Sequence, residues 1–212
     1  VKKEVRSEGI IVDFSGRRKS GSRECTISLR RNQKRQSKTP SMVYTVSMLS
    51  VVATPIGNLK DITLRAIETL QNCDVIVSED TRVAGGLLHQ LHLPKKELLS
   101  FHGYSDAGKL EHILNLLRAG RHLCLVSDAG TPGISDPGYA LVSKAREEGI
   151  KIEAIPGASA VITALSISGL PIHQFVYLGF LPLKKGRKTL LASFVDEERT
   201  IVFYESVHRI EK

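Results

Sequence analysis

A chain of 212 residues has room for one large or two small domains, and 42% hydrophobic with 25% charged residues is ordinary for a globular protein. The net charge of +8 is localised: residues 1–47 hold 12 Lys and Arg against 4 Asp and Glu, while residues 48–212 hold 18 of each. No run approaches the eighteen or so apolar residues of a membrane span, and no signal-peptide pattern is present. Cys25, Cys73 and Cys124 are too few and too scattered for a disulfide framework or a thiolate metal site, which points to a reducing, cytoplasmic compartment.

Residues 1–47 lack sustained apolar periodicity and are rich in Ser, Gly and basic side chains, so a disordered basic arm is expected there. Such an arm is either a solvated tail or a source of non-specific attraction to nucleic acid. From residue 49 onward, short apolar runs alternate with amphipathic segments. The runs at 49–54, 73–78, 97–101, 122–127 and 150–156 read as strands. The segments at 62–71, 85–93, 109–120 and 138–149 read as helices, the last two closed by Gly120 and Gly149. Near-continuously apolar strands separated by helices of about ten residues predict a five-stranded parallel sheet covered on both faces. A further helix at 156–169 is followed by aromatic-bearing strands at 173–182 and 199–206. The expected organisation is therefore an arm (1–47), an α/β domain (48–168) and the start of a second, incomplete α/β domain (169–212).

Four Gly- and Pro-rich segments fall just after predicted strands: "ATPIGNLKD", "EDTR", "SDAGTPGISDPG" and "IPGAS". In parallel α/β sheets, ligands bind beyond the carboxyl ends of the strands. Part of this chemistry is turn-making, since Asp136-Pro137 suits a helix cap followed by proline at the first helical position. No GxGxxG or GKS/GKT signature is present, so a dinucleotide or a nucleoside triphosphate is disfavoured. Spacing alone predicts an α/β protein with a small-ligand cleft.

Taken in order, "VATPIGNLKDITLRA", "EDTR", "VSDAGTPGISDPG", "IPGASAVITALSISGLP", "GFLP" and "FYESVHR" resemble the ribosomal RNA small-subunit methyltransferase I family. That family belongs to the tetrapyrrole-methylase superfamily, and the resemblance covers residues 49–212. It implies two α/β domains with S-adenosylmethionine (SAM) between them, and a homodimer. It implies 2′-O-methylation of a cytidine ribose in 16S rRNA of the small ribosomal subunit. By the same resemblance, Asp128, Ala129, Gly130, Thr131, Pro132, Ser159 and Ala160 contact SAM, with Pro55 and Gly57 at the cleft floor and Tyr204 from the second domain. The chain departs from the family pattern at Gly103-Tyr104-Ser105-Asp106 and at Val207.

Methyl transfer to a hydroxyl calls for alignment of the reacting atoms and a base for the proton. Glu79 and Asp80 are the candidate bases and Arg82 a candidate phosphate contact; the alternative is that Asp80 or Thr81 caps a helix and Arg82 pairs with an acid. Lys184, Lys185, Arg187, Lys188 and Arg209 are candidate RNA contacts, and Phe101, Tyr104 or Phe180 candidate stacking partners. No metal is expected. Two other readings stay open, a tetrapyrrole methylase and a truncated, non-catalytic RNA- or SAM-binding remnant.

Overall fold

Apolar runs of four or five residues build the centre of this protein, because both faces of each strand are covered. The computed structural model describes residues 4–7, 10–13, 47–102, 107–135 and 138–210. Val1–Tyr44 form one compact unit and Thr45–Lys212 another. In the first unit, β1 (Glu4–Ser7) pairs antiparallel with β2 (Ile10–Asp13). These two strands stand within the segment expected to be a disordered arm; the other residues of 1–46 lie outside those described.

The second unit holds β3 (Met48–Val52), α1 (Leu64–Asn72), β4 (Val75–Ser78), α2 (Thr81–Gln90) and β5 (Glu97–Ser100). It continues with α3 (Ala107–Arg118), β6 (His122–Val126), α4 (Gly138–Glu147), β7 (Lys151–Ile155) and α5 (Ala160–Ile167). The five strands form one parallel sheet in the order β5-β4-β6-β3-β7, as the spacing predicts. Alternate side chains enter two separate cores. Leu49, Val75, Val77, Leu123 and Leu125 pack with Ile113, Leu114 and Leu117 of α3 and Leu141 of α4. Val52, Ile76, Cys124 and Val126 face the other way, onto Ala66 and Leu70 of α1 and Ala84 and Leu88 of α2. The result is a three-layer sandwich in which each fully buried leucine contributes about 1.5–3 kcal/mol.

Helix starts are set locally. The Thr63 hydroxyl accepts from Ala66 N–H at 3.1 Å and caps α1. Asp80 caps α2, which therefore begins four residues before the segment read as helical at Gly85. α5 begins at Ala160 rather than Pro156, because Pro156 to Ser159 form the turn that leaves β7. The proposed cap at Asp136-Pro137 lies outside the described residues.

Beyond α5, β8 (Phe175–Phe180) pairs in parallel with β9 (Thr200–Tyr204), and α6 (Arg187–Ala192) lies between them in sequence. The register shifts between Tyr177 and Phe180, at Gly179, whose φ is +62°. This irregularity re-aims the end of β8 toward the cavity described next.

Candidate functional site

Because β4, β6, β3 and β7 are neighbours in the sheet, the loops at their carboxyl ends meet along one edge. There the backbones are joined directly. Thr54 and Gly130 exchange two hydrogen bonds, N–H to carbonyl, at 2.9 and 3.1 Å. The Thr54 hydroxyl donates to the Ser127 carbonyl at 3.2 Å, and the Ser127 hydroxyl donates to the Gly130 carbonyl at 3.1 Å. The Thr131 hydroxyl donates to the Ala158 carbonyl at 3.2 Å, tying in the turn after β7. Glycine is required where these chains meet: Gly130 has φ +84°, and a Cβ there would lie 3.3 Å from Ile56 Cγ2.

The braced loops line a cavity of about 320 Å³, at the lower end of the range for small-molecule sites. One wall is Ser127, Asp128, Ala129, Gly130 and Thr131, with Ile134 and Ser135 further along the same loop. Ile56, Glu79, Ser159 and Ala160 come from the neighbouring strand ends, and Phe180 and Tyr204 from the second sheet. Among the described lining residues the charged ones are Glu79 and Asp128, both acidic. Ser159 opens α5 without a side-chain cap, and the backbone of Val161 in the first turn of that helix hydrogen-bonds Tyr204 on the cavity wall.

The aromatic wall is assembled from β8 and β9. Tyr204 meets Tyr177 edge to face at 5.6 Å and Phe180 at 5.2 Å. Burial first, then the neighbouring Tyr177, pushes the Tyr204 phenol above its ordinary range. Directly after it, the Glu205 side chain is only 3% exposed, accepts a hydrogen bond from Arg187 at 2.6 Å and forms an ion pair with Arg209 at 2.6 Å. The Arg187 hydrogen bond is the main cause holding the Glu205 carboxyl below its usual range. These two arginines, expected to contact RNA, both pair with this carboxylate at the end of β9.

The remaining candidates divide. Asp128, Ala129, Gly130, Thr131, Ser159, Ala160, Tyr204 and Glu79 line the cavity. Pro55 and Gly57 line an adjoining hollow of about 300 Å³, which shares Asp128 with the first and is also lined by Thr54, Leu59 and α2 residues such as Val83, Leu87 and Gln90. Pro132 is buried beneath the loop. Asp80 accepts from Arg82 N–H at 2.8 Å and holds the Arg82 guanidinium at 2.6 Å, so its carboxyl is drawn down to about 2, chiefly by the Arg82 side chain. The Asp80 N–H in turn donates to Asp128 Oδ1 at 3.2 Å. Asp80 thus caps α2 and Arg82 pairs with it, the alternative weighed for both, while the Arg82 side chain stays 90% exposed. Phe101 is buried in the core against α3, which removes it as a stacking partner. Lys184, Lys185 and Lys188 are exposed, and Tyr104 with residues 103–106 lies outside the described residues.

Residues 48–212 match the family model for tetrapyrrole (corrin/porphyrin) methylases. A ribosomal RNA small subunit methyltransferase I of Thermotoga maritima is 48% identical over 162 residues, which cover 76% of this chain and 72% of that protein. The chain belongs to the ribosomal RNA small subunit methyltransferase I family, within the tetrapyrrole methylases. The family member of Escherichia coli O157:H7 is 50% identical over 163 residues, covering 76% of this chain and 57% of that protein. The chain thus spans less than two thirds of that relative's length. Among solved structures, the cobalamin biosynthetic enzyme cobalt precorrin-4 methyltransferase superposes with a TM-score of 0.59 at 20% identity, over 82% of this chain and 74% of the other. At that identity the likeness carries the fold.

Ile56, Ser127, Ile134 and Ser135 belong to the cavity but were not singled out by sequence reasoning. Ser127 had a usable signal, as the last small residue before Asp128 at a strand end. Ile134 and Ser135 had none, because their place depends on a sheet 40 residues away. Among the described residues no group of His, Cys, Asp and Glu could hold a metal, and no helix is long and apolar enough to cross a membrane.

Proposed function

We propose that this chain is a SAM-dependent methyltransferase acting on the ribose 2′-hydroxyl of a cytidine in small-subunit ribosomal RNA. The observation that carries the cofactor is the charge of the cavity. Two carboxylates and a wall of small residues suit an adenosyl sulfonium cation, and disfavour a phosphate-bearing ligand. Asp128 through Thr131, with Ser159 and Ala160, hold this donor, and Tyr204 closes it from the second sheet. SAM supplies an electrophilic methyl group to an oxygen placed in line with its sulfur.

The chain's own residues supply alignment and a proton acceptor. Glu79, at the end of β4 and on the cavity wall, takes the hydroxyl proton. Asp80 is unsuited to that task, since its pairing with Arg82 holds its carboxyl near 2. It fixes the start of α2 and presents Arg82 to a ribose-phosphate backbone. Lys184, Lys185 and Lys188, exposed on the segment after β8, are further phosphate contacts in this reading. Identity of 48% to 50% with rRNA methyltransferases supports RNA over a tetrapyrrole as the acceptor. The reading includes a homodimer working in the cytoplasm.

Calorimetry with SAM, followed by transfer of a labelled methyl group to small ribosomal subunits lacking the modification, tests both halves. Glu79→Gln is expected to weaken SAM binding, since it removes one of the two cavity carboxylates, and to lower methyl transfer at saturating SAM about 10²–10⁴-fold. An unchanged rate would move the base elsewhere; a chain that takes up no SAM would end the reading.

A further inference from the structure

The segment that leaves β6 is fixed in two ways over residues 127–135. Residues 127–131 are braced onto their own sheet through Thr54 and Ala158. Further out, Ser135 sits in the left-handed region at φ +70°, which is uncommon for a non-glycine residue. Its side chain meets the other sheet: the Ser135 hydroxyl lies 2.5 Å from the Tyr177 hydroxyl on β8. β8 makes room for it, since Gly179 sits at the register shift and a Cβ there would press on Ser135 Oγ at 3.3 Å. Tyr177 does not line the cavity; its ring supports Tyr204, which does.

We propose that Tyr177 is a positioning residue for the methyl donor: its hydroxyl, bonded to Ser135, latches the outer half of the loop over the cavity and slows donor release. The proposal rests on the reading of that cavity as a SAM site. A strained residue, a hydrogen bond across 42 residues and a glycine that admits it meet at one point on the rim. The latch leaves Asp128 and Gly130 in place when open, because their bracing is independent of Tyr177. It therefore governs the residence time of the donor rather than the formation of its berth.

The test is SAM affinity by calorimetry and SAM dissociation rate by rapid mixing, on Tyr177→Phe, Ser135→Ala and the double variant. Tyr177→Phe keeps the ring contact with Tyr204 but removes a hydroxyl that also acts on the Tyr204 phenol, whereas Ser135→Ala removes the latch bond and leaves that hydroxyl in place. Each single variant is expected to bind SAM about 3- to 10-fold more weakly, through faster dissociation. The thermal midpoint is expected to move little, since the bond is exposed. The double variant should be no weaker than either single one, as a shared bond can be lost only once. Wild-type affinity and dissociation in Tyr177→Phe, or losses that add in the double variant, would overturn the latch. Failure of the unmodified chain to bind SAM would overturn the underlying cavity reading, an outcome distinguishable from the first two.

Discussion

Gly157 lies so close to Ala53 that a methyl group added to it would come within 2.9 Å of the alanine Cβ. Ala53 is itself buried, and its N–H donates to the Ile155 carbonyl at 3.1 Å, so neither side can yield cheaply. Gly157→Ala is expected to destabilise the protein by about 1–3 kcal/mol, read from the urea midpoint. The paired change Ala53→Gly should recover part of that loss. Full stability in the single variant would show that the two turns separate without cost. At this scale the "GTPG" and "IPGAS" glycines were legible as backbone that must approach something. What they approach was not legible, because Thr54 and Gly130 meet across 76 residues.

Elements follow their local signals except where a tertiary partner moves an end. β3 stops at Val52 rather than Thr54, since Thr54 turns to pair with Gly130. At the opposite end of the sheet, His122 Nε2 lies 2.9 Å from the buried Ser50 hydroxyl, linking the starts of β6 and β3. Burial, the largest cause, lowers the His122 pKa from its ordinary 6.5. The unfolded chain therefore takes up this proton first as pH falls. Stability from this group is whole above about pH 6.5 and is lost as pH drops from there through the lower folded value. Urea midpoints measured between pH 7.5 and 5 should fall, and His122→Gln should flatten that fall. An equal pH dependence in the variant would assign the effect to other groups.

At the scale of the molecule, the unit spanning Thr45–Lys212 leaves apolar side chains in solvent. Ile162 and Ile167 on α5 are 57% and 83% exposed, and Leu170 follows them. Exposed apolar surface of this kind fits the homodimer included in the proposed function. Sedimentation at micromolar concentration is expected to give a dimer, and Ile167→Lys to shift it toward monomer. A wild-type monomer under those conditions would remove the dimer from the reading.

The sequence by itself determined the parallel sheet and its helices, because apolar runs and spacing are properties of adjacent residues. Its ordered motifs also determined the family, and the small residues of 128–131 marked one wall of the cavity. Contacts formed on folding set which charged side chains pair with one another. Asp80 and Arg82 satisfy each other, and Arg187 and Arg209 are taken up by Glu205. They also placed Pro55 and Gly57 in the neighbouring hollow and brought Ser135 to Tyr177. The reason is physical: strand order, which no local pattern encodes, sets which loops become neighbours. A charged side chain then settles on whichever opposite charge that neighbourhood brings within reach.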